Sequence, residues 1–421
     1  MNRRTAALLA ALLALFEVGC GGGATPPPGP VTPPIAATTP SPSPSPSQLL
    51  AADWPEYHGS AARSGEGPAA PALSNPRVAW KAGLDGAVYA SPLIVAGHAI
   101  VATENNTVYA LDLFTGAVVW QSHLGDPVPA SFLPCGDISP VTGITGTPAV
   151  DVTAGRLYVV GFLGGAHHVL FTLSLVDGHA LAQQDVDPPG SRPLVQQQRG
   201  ALALGSGYVY VPFGGLYGDC GQYNGYLMAV PLGGGTVFSY RVPSSREAGI
   251  WAAGGATIAA SGSVYVVTGN GESRSSFDFS NSVVKLSWDL SAVQSYFAPA
   301  NWISLNATDT DLGSVGAALL PSLGVVVTVG KEGVAYLLNA DQLGGIGGQL
   351  AARQVCAGAW GGMAWTGSTV FIPCADSLVA LTVTSTTIGV AWKAAHPVLG
   401  SPIVAAGGMG DRAGIRKAVR A

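Results

Sequence analysis

The chain is poor in charge. Asp, Glu, Lys and Arg make up only 10% of its 421 residues, against about a quarter in an average globular protein. No basic stripe occurs and the net charge is −5, so nucleic-acid binding has no electrostatic support. The abundant residues are instead 58 glycines and 31 prolines. Together with Val-, Tyr- and Thr-rich segments, they indicate ordered strands joined by tight turns.

The apolar run near the N-terminus, residues 6–16, is too short to span a bilayer and follows two arginines. This pattern predicts an export signal over residues 1–20. Val18-Gly19-Cys20 resembles the end of a bacterial lipobox, so Cys20 is the predicted lipidation site, although Glu17 stands where leucine is usual. The alternative is an ordinary secretory signal with a chance cysteine. We therefore expect an exported protein that is either lipid-anchored to the cell envelope or extracellular, with no other membrane contact.

Three further segments follow from composition. Residues 21–50 form a Pro/Ser-rich linker, which favours an extended polyproline conformation and cannot build a core. Residues 51–408 form the folded domain. Residues 409–421 are an atypical tail that holds four of the 19 Lys and Arg residues, and the change of pattern there suggests a truncation or frameshift.

The folded domain contains an internal repeat. VAWKA at 78–82 recurs at 390–394, and segments between them start alike at an uneven spacing of about 40 to 60 residues, the range of propeller blades. The first unit predicts four strands, A to D, over 88–95, 99–103, 107–112 and 117–122. No unit carries a useful helical period. Such sheets have two apolar faces, which are covered when neighbours pack in a ring.

The motif VYALDLFTGAVVW at 108–120 resembles the signature of pyrroloquinoline-quinone-type propeller repeats in bacterial quinoproteins, and WPEYH at 54–58 resembles their lead-in. The resemblance covers roughly residues 50–408. It implies an all-β fold, a β-propeller of four-stranded antiparallel blades. Six units are complete. Of a seventh unit, only two strands are expected: strand A over 401–407 and a strand D supplied by residues 77–83. The prediction is therefore a seven-bladed propeller with an incomplete last blade.

Long connections occur between strands D and A of successive blades and between strands B and C within a blade, and these share one face. On this map Cys135 and Cys220 fall on the same face of adjacent blades, while Cys356 and Cys374 flank one hairpin. Two disulfides, Cys135–Cys220 and Cys356–Cys374, would suit an oxidising compartment. Metal binding by these cysteines is less favoured because no CxxC spacing occurs.

The resemblance to quinoprotein dehydrogenases also implies a cofactor site for pyrroloquinoline quinone and calcium. By this resemblance the cofactor-binding residues are Arg199, Trp251 and Lys331, the calcium-binding residues are Asp219 and Asn270, and the catalytic base is Asp309 or Asp311. An aromatic platform, cations for the quinone oxygens and oxygen ligands for calcium make chemical sense together.

Simpler interpretations remain open. Trp251 could belong to the core, Gly269-Asn270-Gly271 could form a tight turn, and Asp309 and Asp311 could cap a loop. The favoured hypothesis is therefore a non-catalytic propeller, with or without a cofactor, that binds a small ligand or an envelope protein at the cell surface. The alternatives are a quinone- and calcium-dependent alcohol dehydrogenase and an envelope assembly scaffold.

Overall fold

A computed structural model describes residues 53–68, 77–395 and 400–405. The predicted export signal with Cys20, the linker and the tail over 409–421 lie outside the described residues. Within the described ranges, no helix combines the length and the hydropathy needed to cross a membrane.

The described residues form six sheets of four or five strands, antiparallel except for one short strand of sheet 4. Sheet 1 contains β1 (Leu93–Val95), β2 (His98–Ala102), β3 (Thr107–Asp112) and β4 (Val118–His123). A two-stranded ribbon follows, β5 (Val128–Pro129) and β6 (Val141–Thr142). Sheet 2 contains β7 (Ala149–Asp151), β8 (Arg156–Leu163), β9 (His167–Ser174) and β10 (Ala180–Asp185). Sheet 3 contains β11 (Gln196–Gln197), β12 (Ala203–Gly205), β13 (Tyr208–Gly215), β14 (Tyr226–Pro231) and β15 (Phe238–Arg241).

The second half repeats this plan. Sheet 4 contains β16 (Thr257–Ile258), β17 (Val264–Val267), β18 (Val283–Leu286) and β19 (Val293–Ala298), and β23 (Gly345–Ile346) joins it in parallel. Sheet 5 contains β20 (Ala318–Leu320), β21 (Val325–Thr328), β22 (Val334–Asn339) and β24 (Ala351–Gln354). Sheet 6 contains β25 (Ala364–Thr366), β26 (Thr369–Pro373), β27 (Leu378–Val383) and β28 (Ile388–Ala394). One short helix, α1 (Trp302–Ala307), lies between sheets 4 and 5. The predicted all-β fold of four-stranded units is confirmed.

Consecutive sheets share hydrophobic cores. Sheets 1 and 2, 2 and 3, 3 and 4, 4 and 5, and 5 and 6 each bury a common cluster between their faces. The strand centres are therefore apolar on both faces: Val325–Thr328, for example, is buried throughout. Face-to-face stacking of this kind gives each sheet the partner that its apolar faces need.

The repeated tryptophan and glycine of the sequence motif pack against each other. The indole N–H of Trp120, on β4 of sheet 1, donates to Leu175 O of sheet 2 at 3.2 Å, and its ring lies where a Cβ on Gly178 would be. The indole N–H of Trp80 donates to Leu113 O at 3.0 Å, and the ring of Trp80 lies where a Cβ on Gly116 of sheet 1 would be. Both glycines have positive φ, so glycine is required there for its backbone as well as for space.

The seventh blade remains a prediction. Residues 77–83 form no strand, although Trp80, Ala82 and Leu84 pack on a face of sheet 1. On sheet 6, Val404 packs against the corresponding cluster and makes an isolated bridge to Glu66.

Both predicted disulfides are confirmed. Cys135–Cys220 joins the connection before sheet 2 to a loop of sheet 3, and its two cysteines are 85 positions apart in the sequence. Cys356–Cys374 joins the connection before sheet 6 to the end of β26.

The lead-in over residues 53–68 ties the sheets together at the hub. The buried Arg63 guanidinium donates to Leu202 O at 2.7 Å and Ala256 O at 3.2 Å, and it lies 3.3 Å from a carboxylate oxygen of Glu56. Tyr57 donates to Ser401 Oγ at 2.5 Å. One charged side chain thus links the lead-in to sheets 3 and 4.

The buried His58 predicts that the stability of the folded protein depends on pH. Its Nδ1 lies 3.0 Å from Met363 O, and burial, reinforced by Arg63, lowers the pKa of the imidazole to about 4. Between pH 6.5 and 4 the unfolded chain would bind a proton that the folded chain does not, so stability falls as pH falls through this window. We expect His58 to account for about 3 kcal/mol of that fall. Urea unfolding of His58→Asn at pH 7 and pH 4.5 should show a smaller loss than the wild type. An equal loss in both proteins would contradict the assignment.

Candidate hub cavity

A cavity of about 600 Å³ opens at the centre of the ring of sheets. Each of the six sheets contributes one residue that stands a few positions before β1, β7, β12, β16, β20 or β25, respectively. These residues are Tyr89, Thr145, Arg199, Trp251, Ser314 and Trp360. The D–A connections reach the hub just before each inner strand begins, and this topology explains why residues far apart in sequence converge there.

All seven residues predicted for the quinone site line this cavity: Arg199, Asp219, Trp251, Asn270, Asp309, Asp311 and Lys331. Asp219, Asn270 and Lys331 come from the loops that follow β13, β17 and β21 in sheets 3, 4 and 5. The structure brings the predicted set together in one cavity.

Asp311 is the most buried carboxylate of the set, with 2% of its surface exposed. The Lys331 ammonium lies 2.5 Å from Asp311 Oδ2 and 3.0 Å from Asp309 Oδ1. The main-chain N–H of Asn270 donates to Asp311 Oδ1 at 2.6 Å. Asp309, in contrast, is exposed and has a positive φ. Of the two candidate bases, Asp309 and Asp311, it is therefore Asp311 that is held in a fixed position.

Burial and neighbouring charges shift the pKa values of both Asp311 and Lys331. Burial raises the pKa of the Asp311 carboxyl, and this outweighs the opposing effect of the Lys331 ammonium. Burial lowers the pKa of Lys331, but the carboxylates of Asp311 and Asp309 outweigh it, and the pKa of the lysine rises. Lys331 thus remains a cation inside the cavity at neutral pH.

Trp251 forms part of the cavity wall and is only half-buried, so it is not simply a core residue. The Lys331 ammonium lies 5.8 Å from its ring centroid, within the range of a cation–π contact. Gly269 packs closely here: a Cβ at this position would lie 3.0 Å from the indole nitrogen of Trp251 and would collide with Asp311. Neither Gly269 nor Gly271 has a positive φ, so the segment is not the left-handed turn that its sequence allows.

Arg199 and Asp219 lie on the same wall with different partners. The Arg199 guanidinium is 3.9 Å from Asp137, which is largely exposed. Tyr223 donates its hydroxyl to Asp219 Oδ1, and Arg246 donates to the main-chain oxygen of Asp219. Burial, followed by the charge of Asp219, raises the pKa of Tyr223 well above its ordinary range. Asp219 is thereby held by a protonated phenol.

Sequence reasoning missed Glu247. It is 8% exposed, and its Oε2 accepts a hydrogen bond of 3.4 Å from the side-chain amide of Asn270. Arg246 pairs with Glu247 at 2.7 Å, and burial raises the pKa of Glu247. Glu247 and Ala248 both have positive φ, a strained conformation that often marks functional sites. In the sequence, the adjacent charges Arg246 and Glu247 stand a few positions before Trp251 in a chain with few charges, and this was the signal that could have indicated the residue.

The groups of side chains with metal-ligand spacing lie outside this cavity in the described part of the chain. Among the described residues, three-residue groups with metal-ligand spacing occur at His167, Asp185 and Asp187 and at Cys356, Cys374 and Asp376, and neither lies in the cavity. The Cys pair is a disulfide, and His167 is hydrogen-bonded to Asp187 at 3.0 Å.

Comparisons with known proteins agree with this fold. A family model described as outer membrane protein assembly factor BamB matches residues 77–317, more than half of the chain. No curated protein matches.

Solved structures also match. A quinohemoprotein alcohol dehydrogenase from Pseudomonas putida HK5 superposes with a TM-score of 0.66 and 16% identity, over 84% of this chain and 68% of that one. The quinohemoprotein alcohol dehydrogenase of Comamonas testosteroni gives 0.64 and 16%, over 85% and 69%. A europium-containing methanol dehydrogenase gives 0.63 and 15%, over 85% and 81%. At such identities the superpositions establish the fold alone. With the family model, they show that the chain belongs to the pyrroloquinoline-quinone-type β-propeller repeat family.

Proposed function

We propose that this protein is an exported binding propeller whose hub cavity takes one planar, negatively charged small molecule of the quinone class. The observation that carries the proposal is the convergence of Trp251, Lys331 and Arg199 on a single cavity of about 600 Å³. An aromatic face and two cations are what a flat ring with carboxylates requires. The cavity volume is also ordinary for a small-molecule site.

Pyrroloquinoline quinone fits this donor set. It is flat and carries carboxylates, so Trp251 would hold its ring while Lys331 and Arg199 would bind its acidic oxygens. Arg199 retains donors for this purpose because its contact with Asp137 is long, at 3.9 Å. Lys331 stays charged because of its acidic neighbours.

Calcium fits less well. Both oxygens of Asp311 already have donors, the Lys331 ammonium and the Asn270 N–H, and Asp219 accepts from Tyr223. A lysine at 2.5 Å also repels a divalent cation at the same carboxylate. We therefore assign no step to calcium, although Asn270 and Asp219 remain the residues that could contribute oxygen ligands.

A second candidate function is alcohol oxidation with pyrroloquinoline quinone, and the buried Asp311 favours it. When bound, the quinone would supply the electron acceptor. Asp311 would take the hydroxyl proton of the alcohol, with the Asn270 N–H and Lys331 fixing its carboxylate. A raised pKa brings a carboxylate closer to the range of a useful general base.

Export is supported by the two disulfides, which persist in oxidising compartments. The match to the assembly-factor family model supports a further candidate, an envelope scaffold that docks other proteins. A pull-down from envelope extract tests that role, which predicts recovery of one stoichiometric protein partner whose binding survives Trp251→Ala.

The ligand proposal is tested by calorimetric titration of the full chain with pyrroloquinoline quinone, with and without calcium. We expect one site per chain. Trp251→Ala should weaken binding by about tenfold or more, since stacking and buried area are lost. Trp288→Ala, which removes an indole on another surface, is the matched control. No binding, or equal loss in both variants, would rule out the proposal.

The same preparation separates the two candidate functions. Dye reduction with primary alcohols by the quinone-loaded protein, abolished in Asp311→Asn, would favour the dehydrogenase. Binding without turnover would favour the non-catalytic module.

A further inference from the structure

Three ionisable side chains converge at one end of sheet 2, outside the hub cavity. His167 is the first residue of β9, Asp185 is the last residue of β10, and Asp187 lies two positions further on. Strands β9 and β10 are antiparallel, so the start of one lies beside the end of the other. This pairing brings one nitrogen of His167 and one oxygen of each carboxylate within 4.8 Å of one another.

The distances within this group suit a single small cation. His167 Nδ1 lies 3.0 Å from Asp187 Oδ2 and 3.7 Å from Asp185 Oδ2. Nitrogen and oxygen ligands stand about 2.0–2.2 Å from a zinc ion, which separates neighbouring ligand atoms by about 3.0–3.6 Å. Both measured distances are close to this spacing, so small side-chain rotations are enough to place the three atoms around one ion.

The protein already holds the other oxygen of each carboxylate. Asp187 Oδ1 accepts from the main-chain N–H of His168 at 3.1 Å and lies 2.8 Å from the Nδ1 atom of the same residue. His168 is buried and stacks on Phe162, with 4.2 Å between the ring centroids, so its position is fixed by the core. Asp185 Oδ1 accepts from the main-chain N–H of Asp187 at 2.8 Å. These contacts turn both Oδ2 atoms toward His167, as outer hydrogen bonds orient the ligands of metal sites.

The charge of the group also favours a cation. Two carboxylates stand together, and neither pairs with a lysine or an arginine among residues 77–395. A divalent ion neutralises both charges at once. The third donor is an imidazole nitrogen, which suits zinc and similar transition-metal ions, whereas calcium and magnesium prefer oxygen ligands.

From this geometry we propose that His167, Asp185 and Asp187 bind one zinc ion. The ligands are His167 Nδ1 and the two Oδ2 atoms, and the imidazole then carries its proton on Nε2. Water completes the coordination, since the side chains of His167 and Asp185 are exposed to solvent. The ion joins the start of β9 to the segment that follows β10 and so stabilises this end of sheet 2. This site stands independently of the quinone proposal.

Isothermal titration of the untagged full-length protein with zinc chloride, after treatment with EDTA, tests the site. We expect saturable zinc binding, and binding of calcium and magnesium that is at least about tenfold weaker. Zinc should also raise the Tm, because an ion that binds only the folded chain stabilises it by mass action. Absence of saturable zinc binding, or calcium binding as tight as that of zinc, would overturn the proposal.

Variants then locate the ion. His167→Ala and Asp185→Asn should each weaken zinc binding by about tenfold or more, since each removes one of three ligands. Asp185→Asn keeps the contact between His167 and Asp187, so a loss in this variant is not explained by a broken ion pair.

His179→Ala is the matched control. The side chain of His179 is 59% exposed, against 60% for His167, and it pairs with a single carboxylate, Asp177, at 2.6 Å. Its removal should leave both the zinc affinity and the rise in Tm unchanged. Equal zinc affinities in His167→Ala and His179→Ala would show that His167 forms only an ordinary surface ion pair, and the site would be refuted.

Discussion

Replacing Lys331 by methionine is expected to weaken binding of pyrroloquinoline quinone by about ten- to a hundredfold, the range of one charge-assisted hydrogen bond. The side chain is the cation that stands over the Trp251 ring at 5.8 Å and beside Asp311 at 2.5 Å. Methionine keeps the length and removes the charge. Calorimetric titration of both proteins under the same ionic strength measures the difference.

Two companion variants make this result specific. Lys393→Met removes a lysine that pairs with Asp376 on the surface of sheet 6, and its affinity should equal that of the wild type. Lys331→Arg keeps the charge and should retain most of the affinity. If Lys331→Met bound the quinone as well as Lys393→Met did, the lysine would serve only to neutralise Asp311.

Replacing Arg63 by methionine is expected to lower the free energy of unfolding by about 3–5 kcal/mol, because it leaves a buried charge without its partner. Glu56 would lose the guanidinium 3.3 Å away, and the carbonyls of Leu202 and Ala256 would lose their donors. The lead-in would then lose a link to two sheets at once. Urea denaturation followed by tryptophan fluorescence gives the change.

Arg353→Met is the matched control for this loss, since Arg353 is exposed on β24. The double variant Arg63→Met, Glu56→Gln should recover part of the stability, because the remaining side chain is neutral. A loss in Arg63→Met no larger than that in Arg353→Met would mean that the lead-in does not hold the ring together.

Much of the fold could be predicted because its local signals repeat. Alternating Val, Tyr and Leu followed by Thr-Gly predicted the strands of sheet 1, which the structure places over 93–123. Where the pattern is interrupted, prediction was weaker. Residues 77–83 carry the repeat motif but form no strand, because Trp80 packs on sheet 1 as an extended segment without a neighbouring strand among the described residues.

The hub residues could be predicted as a set, but their pairing could not. Sequence position placed Asp311, Asn270 and Lys331 on the same face, whereas the 2.5 Å ion pair depends on how two loops approach each other. Glu247 was missed because its role depends on a contact with Asn270 across strands.

A crystal structure of the protein grown with pyrroloquinoline quinone tests the central claim most directly. The expected result is one quinone in the hub, stacked on Trp251, with its acidic oxygens within hydrogen-bond distance of Lys331 and Arg199. A quinone bound outside the ring of sheets, or a hub in which Lys331 stays paired only with Asp311 at saturating ligand, would contradict the account.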